Sequence, residues 1–353
     1  MENQSLVGMD YGGGNKLCKS CAKLPLTEEE IERFEEDIKQ DKKKEWRFSM
    51  DTFIIGTVSE TRQRLDCPMC RLLTATFDND PQGGRTQGID ESSATCTFSL
   101  RWEGERKGFC SSDGLGSQGT RLAFVRANDG SAFGHGRRIQ TEQIDTELVS
   151  SWLRRCQHEH GNQCGPQGRP DQGSASHASK LPLSLINVRR RCIIEVGGPS
   201  DYVALSYVWG KVKTLRLLKE NRVSLMKPFA LDSLRNMIPR TILDAMDLVG
   251  RLGFLYLWVD ALCIAQDDEN ELALEIQRMD LIYENSLFTI IAADGVDADA
   301  GLPGVQPNSR QNHQVLEQVT ENTSLVALYE LDDLLTTPVY STRGWTYVHS
   351  SKW

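Results

Sequence analysis

YLWVD, residues 256–260, is an apolar run that stops on a carboxylate. A helix-patterned segment precedes it (239–252), a second follows (270–285), and another apolar run, LFTIIAAD at 287–294, again closes on Asp. Upstream, YVALSYVWG (202–210) reads as a buried strand closing on Gly210. Strands alternating with helices predict an α/β fold, a mainly parallel sheet with flanking helices on both faces. In such sheets ligands bind beyond the carboxyl ends of the strands, which places Asp260 at an expected site. Glu275, one turn inside the following helix, can face the same crevice. Set against these readings are a capping or loop hydrogen bond for Asp260 and a plain surface position for Glu275. For Asp267 and Asp268, helix capping is the better explanation.

The local patterns support this division. Ile242, Ala245, Met246, Val249 and Leu252 fall on one helical face, with Thr241 as predicted cap and Gly253 as stop. Leu272, Ile276, Met279, Ile282 and Tyr283 repeat the pattern, and LSLINV (183–188) with RCIIEV (191–196) reads as a strand pair. Thr27 and Glu30 form a capping box near the N-terminus. TRLAFVRA, from Thr120, alternates like a strand. Residues 165–180 are rich in Gly, Ser, Pro and Gln and read as a linker. The expected organisation is a smaller Cys/His-containing region at 1–164, the linker, and an α/β domain at 181–353.

The chain has 353 residues, enough for two domains, and carries a net charge of −9. An acidic chain is poorly suited to a phosphate backbone, so nucleic acid is not an expected partner. No secretory pattern is visible, and the longest apolar run, 252–265, is broken by Asp260 and too short to span a bilayer. The expectation is a cytoplasmic protein without a membrane partner, in which ten cysteines stay reduced.

Reduced cysteines at regular spacing point to metal. Cys18-x-x-Cys21 and Cys67-x-x-Cys70 have the pair spacing with which two thiolates on one turn bind a tetrahedral ion, and Cys156-x3-His160-x3-Cys164 offers three further ligands. These seven are the candidate ligands for structural zinc; buried thiols without metal are the competing reading. GLGSQG (114–119) matches a dinucleotide-binding pattern formally, but it leads into a strand-like segment instead of a helix, so a loop is expected. Cys263 is read as a packing thiol.

Four blocks of the sequence resemble, in order, the fungal heterokaryon-incompatibility (HET) domain. They are YVALSYVWG (202–210), IPRTILDAMDLVGRLGFLYLWVDALCIAQDD (238–268), EIQRMDLIYENSLFTIIAADGVDADAGLPG (275–304) and RGWTY (343–347). The resemblance implies a role in non-self recognition and programmed cell death, through a protein partner or self-assembly. It also implies a core similar to Toll/interleukin-receptor (TIR) domains, with a flavodoxin-like sheet. Some relatives of that type cleave NAD with a helix glutamate, so the implied alternative is an NAD glycohydrolase. There Glu275 would be catalytic beside Asp260, and Ser206, Trp209, Trp258, Gln266 and Arg343 would lie at the NAD site or in the core. A further alternative is a non-catalytic interaction module. Leu272 stands where the family block usually has Trp, and RGWTY is followed by VHSSKW instead of a Gln-Glu pair, so a C-terminally truncated domain is expected.

Overall fold

A computed structural model describes residues 16–27, 29–30, 33, 48–78, 90–103, 106–112, 121–125, 136–140, 142–160, 184–197, 200–293, 295–310 and 314–328. The described residues form two compact units, one drawn from Met1–Ile139 and Asn312–Leu334, the other from Gln140–Gln311. The segment read as a linker, 165–180, lies outside the described residues, as do GLGSQG (114–119) and Asp294.

The first unit is built on an antiparallel sheet. Strands β1 (Phe48–Thr57), β2 (Thr95–Glu103), β3 (Arg106–Ser112) and β4 (Arg121–Val125) follow one another as neighbours. The chain returns much later to add β10 (Leu316–Gln318) and β11 (Ser324–Leu328), with β11 paired to β4. Helix α1 (Val58–Gln63) begins on a capping box in which the Thr57 side chain accepts from the Glu60 amide and Glu60 accepts from the Thr57 amide. In α2 (Pro68–Asp78), Met69, Leu72, Leu73 and Thr76 are buried, the i, i+3, i+4, i+7 stripe of a helix lying on a sheet. They share a core with Ile55, Phe98, Leu122 and Leu325, and with Cys21, Leu24 and Leu26 from a 3-10 turn at Cys21–Lys23. Arg71 grips Glu317 with two nitrogens, at 2.9 and 2.8 Å, and so ties α2 to β10.

The second unit carries a five-stranded sheet in the order β6-β5-β8-β7-β9. These are β5 (Ser184–Asn187), β6 (Cys192–Glu195), β7 (Val203–Ser206), β8 (Tyr256–Trp258) and β9 (Thr289–Ile291). The predicted strand pair is present as the antiparallel β5–β6 hairpin. β5 is also antiparallel to β8, whereas β7 runs parallel to both β8 and β9.

The expected mainly parallel sheet is therefore overturned. Every pairing in the first sheet is antiparallel, the second sheet is mixed, and no TIR-like signature is identifiable. The strand–helix–strand pattern did find three parallel neighbours, β8, β7 and β9, but it carried no information on what lies beside them. A hairpin can add to a parallel set by antiparallel pairing, because apolar runs report burial and not the direction of the neighbouring chain.

Helix α6 (Arg240–Arg251) buries Ile242, Ala245, Met246 and Val249 against this sheet, and the chain leaves it through Gly253 at φ +87°. Thr241 does not cap it. Pro239 holds the cap position, and the Thr241 hydroxyl accepts from the Gly301 amide at 3.0 Å. The segment 270–285 is two helices, α8 (Glu269–Gln277) and α9 (Met279–Glu284), broken at Arg278. Asp268 caps α8 by accepting from the Asn270 and Glu271 amides. Further helices are α3 (Thr146–Glu159), α4 (Arg222–Leu225), α5 (Ala230–Ser233) and α7 (Asp260–Cys263). Among the described residues, no helix is long and apolar enough to cross a membrane.

Gly210, just past β7, has φ +64°, and a Cβ there would fall 2.4 Å from the Cβ of Asp297. Gly210→Ala is expected to cost about 1–3 kcal/mol from backbone strain and steric overlap together. Urea titration checks this, and an unchanged midpoint would contradict the close approach.

Candidate functional site

Four of the seven predicted metal ligands converge. The sulfurs of Cys18, Cys21, Cys67 and Cys70 all lie within 4.8 Å of one another. Cys18 and Cys21 come from the turn that opens the first unit, Cys67 and Cys70 from the start of α2. Cys21, Cys67 and Cys70 are buried and Cys18 is half-buried. A tetrahedral zinc with bonds of about 2.3 Å requires sulfur–sulfur edges of about 3.8 Å. The Cys18–Cys70 and Cys21–Cys70 separations are 3.9 and 3.7 Å. The Cys18 amide donates to the Cys67 sulfur at 3.4 Å.

Ionisation of the tetrad is shared unevenly. Hydrogen bonds from Cys21, and then Cys70, hold the Cys67 thiol far below the usual range, while hydrogen bonding to Cys67 and Cys70, and then burial, push Cys21 far above it. One negative sulfur is thus favoured at the expense of its neighbours, and a divalent cation would favour all four. The donor number, softness and spacing fit a chelated metal such as zinc.

Among the described residues, the cluster includes neither Cys156 nor His160. Cys156 lies in the last turn of α3 and His160 is its C-terminal cap residue, in the second unit, with Sγ and Nδ1 3.5 Å apart. Cys164 lies outside the described residues. Sequence reading also missed Arg64, whose Nη1 stands 3.9 Å from the Cys18 sulfur. The only hint was its position three residues before Cys67.

In the second unit, Asp260 leaves β8 as the first residue of α7 and is half-buried. Trp209, beyond the end of β7, donates its indole N–H to both carboxylate oxygens, at 3.1 and 2.9 Å. The Arg216 guanidinium lies over the same indole, 5.4 Å from its centroid. The exits of two parallel strands thus meet through a Trp–Asp hydrogen bond that the sequence did not announce. Ser206 ends β7 and is 8% exposed. Gln266 braces the loop after α7, donating to the backbone oxygens of Asp260 and Ile264 at 3.1 and 3.0 Å. Trp258 is fully buried, edge-on to Tyr283 at 5.4 Å, and so belongs to the core. Arg343 lies outside the described residues.

Glu275 is not a surface helix position. It is 1% exposed, and neither carboxylate oxygen has a hydrogen-bond partner among the described residues. Burial raises its pKa to about 7; nearby Arg278 opposes the shift and Glu271 adds to it. Its charge also contributes to the upward shift of Tyr202, which burial dominates. Burial likewise pushes the Cys263 thiol up to about 12, with further upward contributions from Asp260 and Glu275. The Val259 amide donates to the Cys263 sulfur at 3.3 Å, as a packing thiol allows.

Comparison with known proteins bears on the second half of the chain. Residues 202–348 match the family model of the heterokaryon incompatibility protein (HET). The chain is also similar to heterokaryon incompatibility protein 6, OR allele, of Neurospora crassa, with 32% identity over 94 residues. That alignment covers 26% of this chain and only 14% of the relative's length. No solved structure matches. A C-terminal segment of this chain therefore matches the fungal HET domain family at low identity.

Glu275 makes stability depend on pH. Its ordinary value is 4.5 and its folded value about 7. Between these values the folded chain keeps a proton that the unfolded chain has lost, so stability falls as pH rises through the window and stays lower above it. The loss is on the order of 3 kcal/mol. Glu275→Gln should match wild type near pH 4.5 and exceed it by roughly 2–3 kcal/mol at pH 8 in urea titrations. An equal difference at both pH values would contradict the burial argument.

Proposed function

We propose that this chain acts in fungal non-self recognition as a HET-type signalling protein, working through a protein partner to trigger cell death, with one structural zinc held by Cys18, Cys21, Cys67 and Cys70. The observation that carries the signalling role is the family match over 202–348, joined by similarity to a curated protein named for heterokaryon incompatibility. For the metal, the four sulfurs gathered within 4.8 Å carry the reading. Zinc fits a structural role because all four positions are protein thiols, leaving no open position for a substrate. It would pin the turn at Cys21–Lys23 to the start of α2.

The burial of Glu275 favours an interaction module over a hydrolase. At 1% exposure its carboxylate meets the protein core in this structure instead of an open cleft. A glutamate stabilising a ribosyl cation must touch the sugar.

Two experiments test these readings. Purified chain should contain one zinc ion per molecule by elemental analysis. Cys70→Ser should lose most of it together with several kcal/mol of stability, since a structural metal site is also a folding site; a metal-free, equally stable wild type would remove the zinc. Expression of the chain in fungal cells should reduce viability, and Glu275→Gln should retain that effect. A harmless wild type would count against the signalling role. Loss of killing in Glu275→Gln, alongside NAD consumption by wild type, would favour the hydrolase instead.

A further inference from the structure

We infer that Arg64 is a positioning residue for the metal centre, holding and shielding the Cys18 ligand; this rests on the zinc reading above. Cys18 is the one half-buried member of the tetrad, so competing chelators and oxidants meet the centre there first.

Arg64 is fixed at that point from several sides. Its Nη1 donates to the Ile55 carbonyl at 2.8 Å and stands 3.9 Å from the Cys18 sulfur. Its Nη2 donates to the Glu60 carboxylate at 3.2 Å. Its own carbonyl accepts from the Cys67 amide at 3.1 Å. One residue therefore touches both Cys-x-x-Cys pairs, the first through its side chain and the second through its backbone.

The space for this arrangement is kept by Gly56, at φ +150°. A Cβ there would fall 2.4 Å from the Glu60 carboxylate and 3.2 and 3.3 Å from the Arg64 guanidinium nitrogens. Glu60 is in turn held by the capping box with Thr57, so β1, α1 and Arg64 act as one bracket.

The electrostatics explain why a cation belongs in that place. Four thiolates around one divalent ion leave a net charge of about −2 in a largely buried site. A neighbouring guanidinium offsets part of that charge, and an N–H aimed at sulfur makes the thiolate a weaker nucleophile. Partners of this kind outside the ligand set commonly account for about 10- to 100-fold in metal affinity. Arg62, two residues earlier, is engaged elsewhere, with Asp78 at 2.7 Å and Glu91 at 3.0 Å, and serves as a control.

The test uses the full chain, loaded with zinc or cobalt, as wild type, Arg64→Ala, Arg64→Lys, Glu60→Gln and Arg62→Ala. Zinc release to a chromogenic chelator should be roughly 10- to 100-fold faster in Arg64→Ala, with a smaller acceleration in Arg64→Lys, which keeps the charge but loses the fork. Glu60→Gln, which weakens the hold on the Arg64 guanidinium while leaving Arg64 and the four ligands in the chain, should also speed release, and Arg62→Ala should not. The thiolate-to-cobalt absorption should shift in Arg64→Ala and recover partly in Arg64→Lys; a merely structural loss would not produce that graded change. If Arg64→Ala does not fold, Glu60→Gln decides. A wild-type release rate in the folded variants, with zinc still bound one per chain, would overturn the role of Arg64 and leave the zinc intact. A wild type that binds neither metal would overturn both.

Discussion

Four sulfur atoms crowded within 4.8 Å of one another set the terms for the first unit. Thiols so close cannot all ionise by themselves, because of the repulsion between like charges at that separation. Whatever relieves it also fixes the turn at Cys21–Lys23 against α2, because each supplies half of the cluster. The apolar neighbours follow from that junction. Leu24 and Leu26 enter the core directly after Cys21, and Met69, Leu72 and Leu73 do so from the helix that carries Cys67 and Cys70.

In the second unit, β7 has the comparable role. It is paired on both sides and buried along its whole length, and the chain beyond it carries Trp209 and Gly210. Through Trp209 it holds Asp260 at the end of β8, and through Gly210 it admits the approach of Asp297 from the loop after β9. The three parallel exits are thereby stitched together by one hydrogen-bonded pair and one close contact. Glu275 departs from this economy, since a carboxyl group buried without a partner opposes folding whenever it is charged.

Much of this was legible in the sequence, and the failures have physical causes. Cysteine spacing marked the two Cys-x-x-Cys pairs because a chelating turn is a local property; that the two pairs come together depends on tertiary packing, which spacing does not encode. Helix α6 was found with its register, since an amphipathic stripe is a local property. The antiparallel pairings were not found, because the partner of a strand is set by tertiary packing that no local run of residues encodes. Glu275 was read as facing a crevice or solvent and is instead buried. Its neighbours in α8, Leu274 and Ile276, are the ones left partly exposed, so helical phase by itself misassigned the face.

The return of the chain to pair β11 with β4 has a consequence for biosynthesis. Leu122 stands opposite Ala327 in the antiparallel register, so β4 keeps an unpaired margin until the much later β11 has been synthesised. The cysteine turn and α2 emerge early and can assemble at once, whereas the strands beside them must wait while the intervening unit is translated. Nascent chains would therefore pass through a half-finished state with an exposed β4 edge, open to mispairing and to chaperone capture.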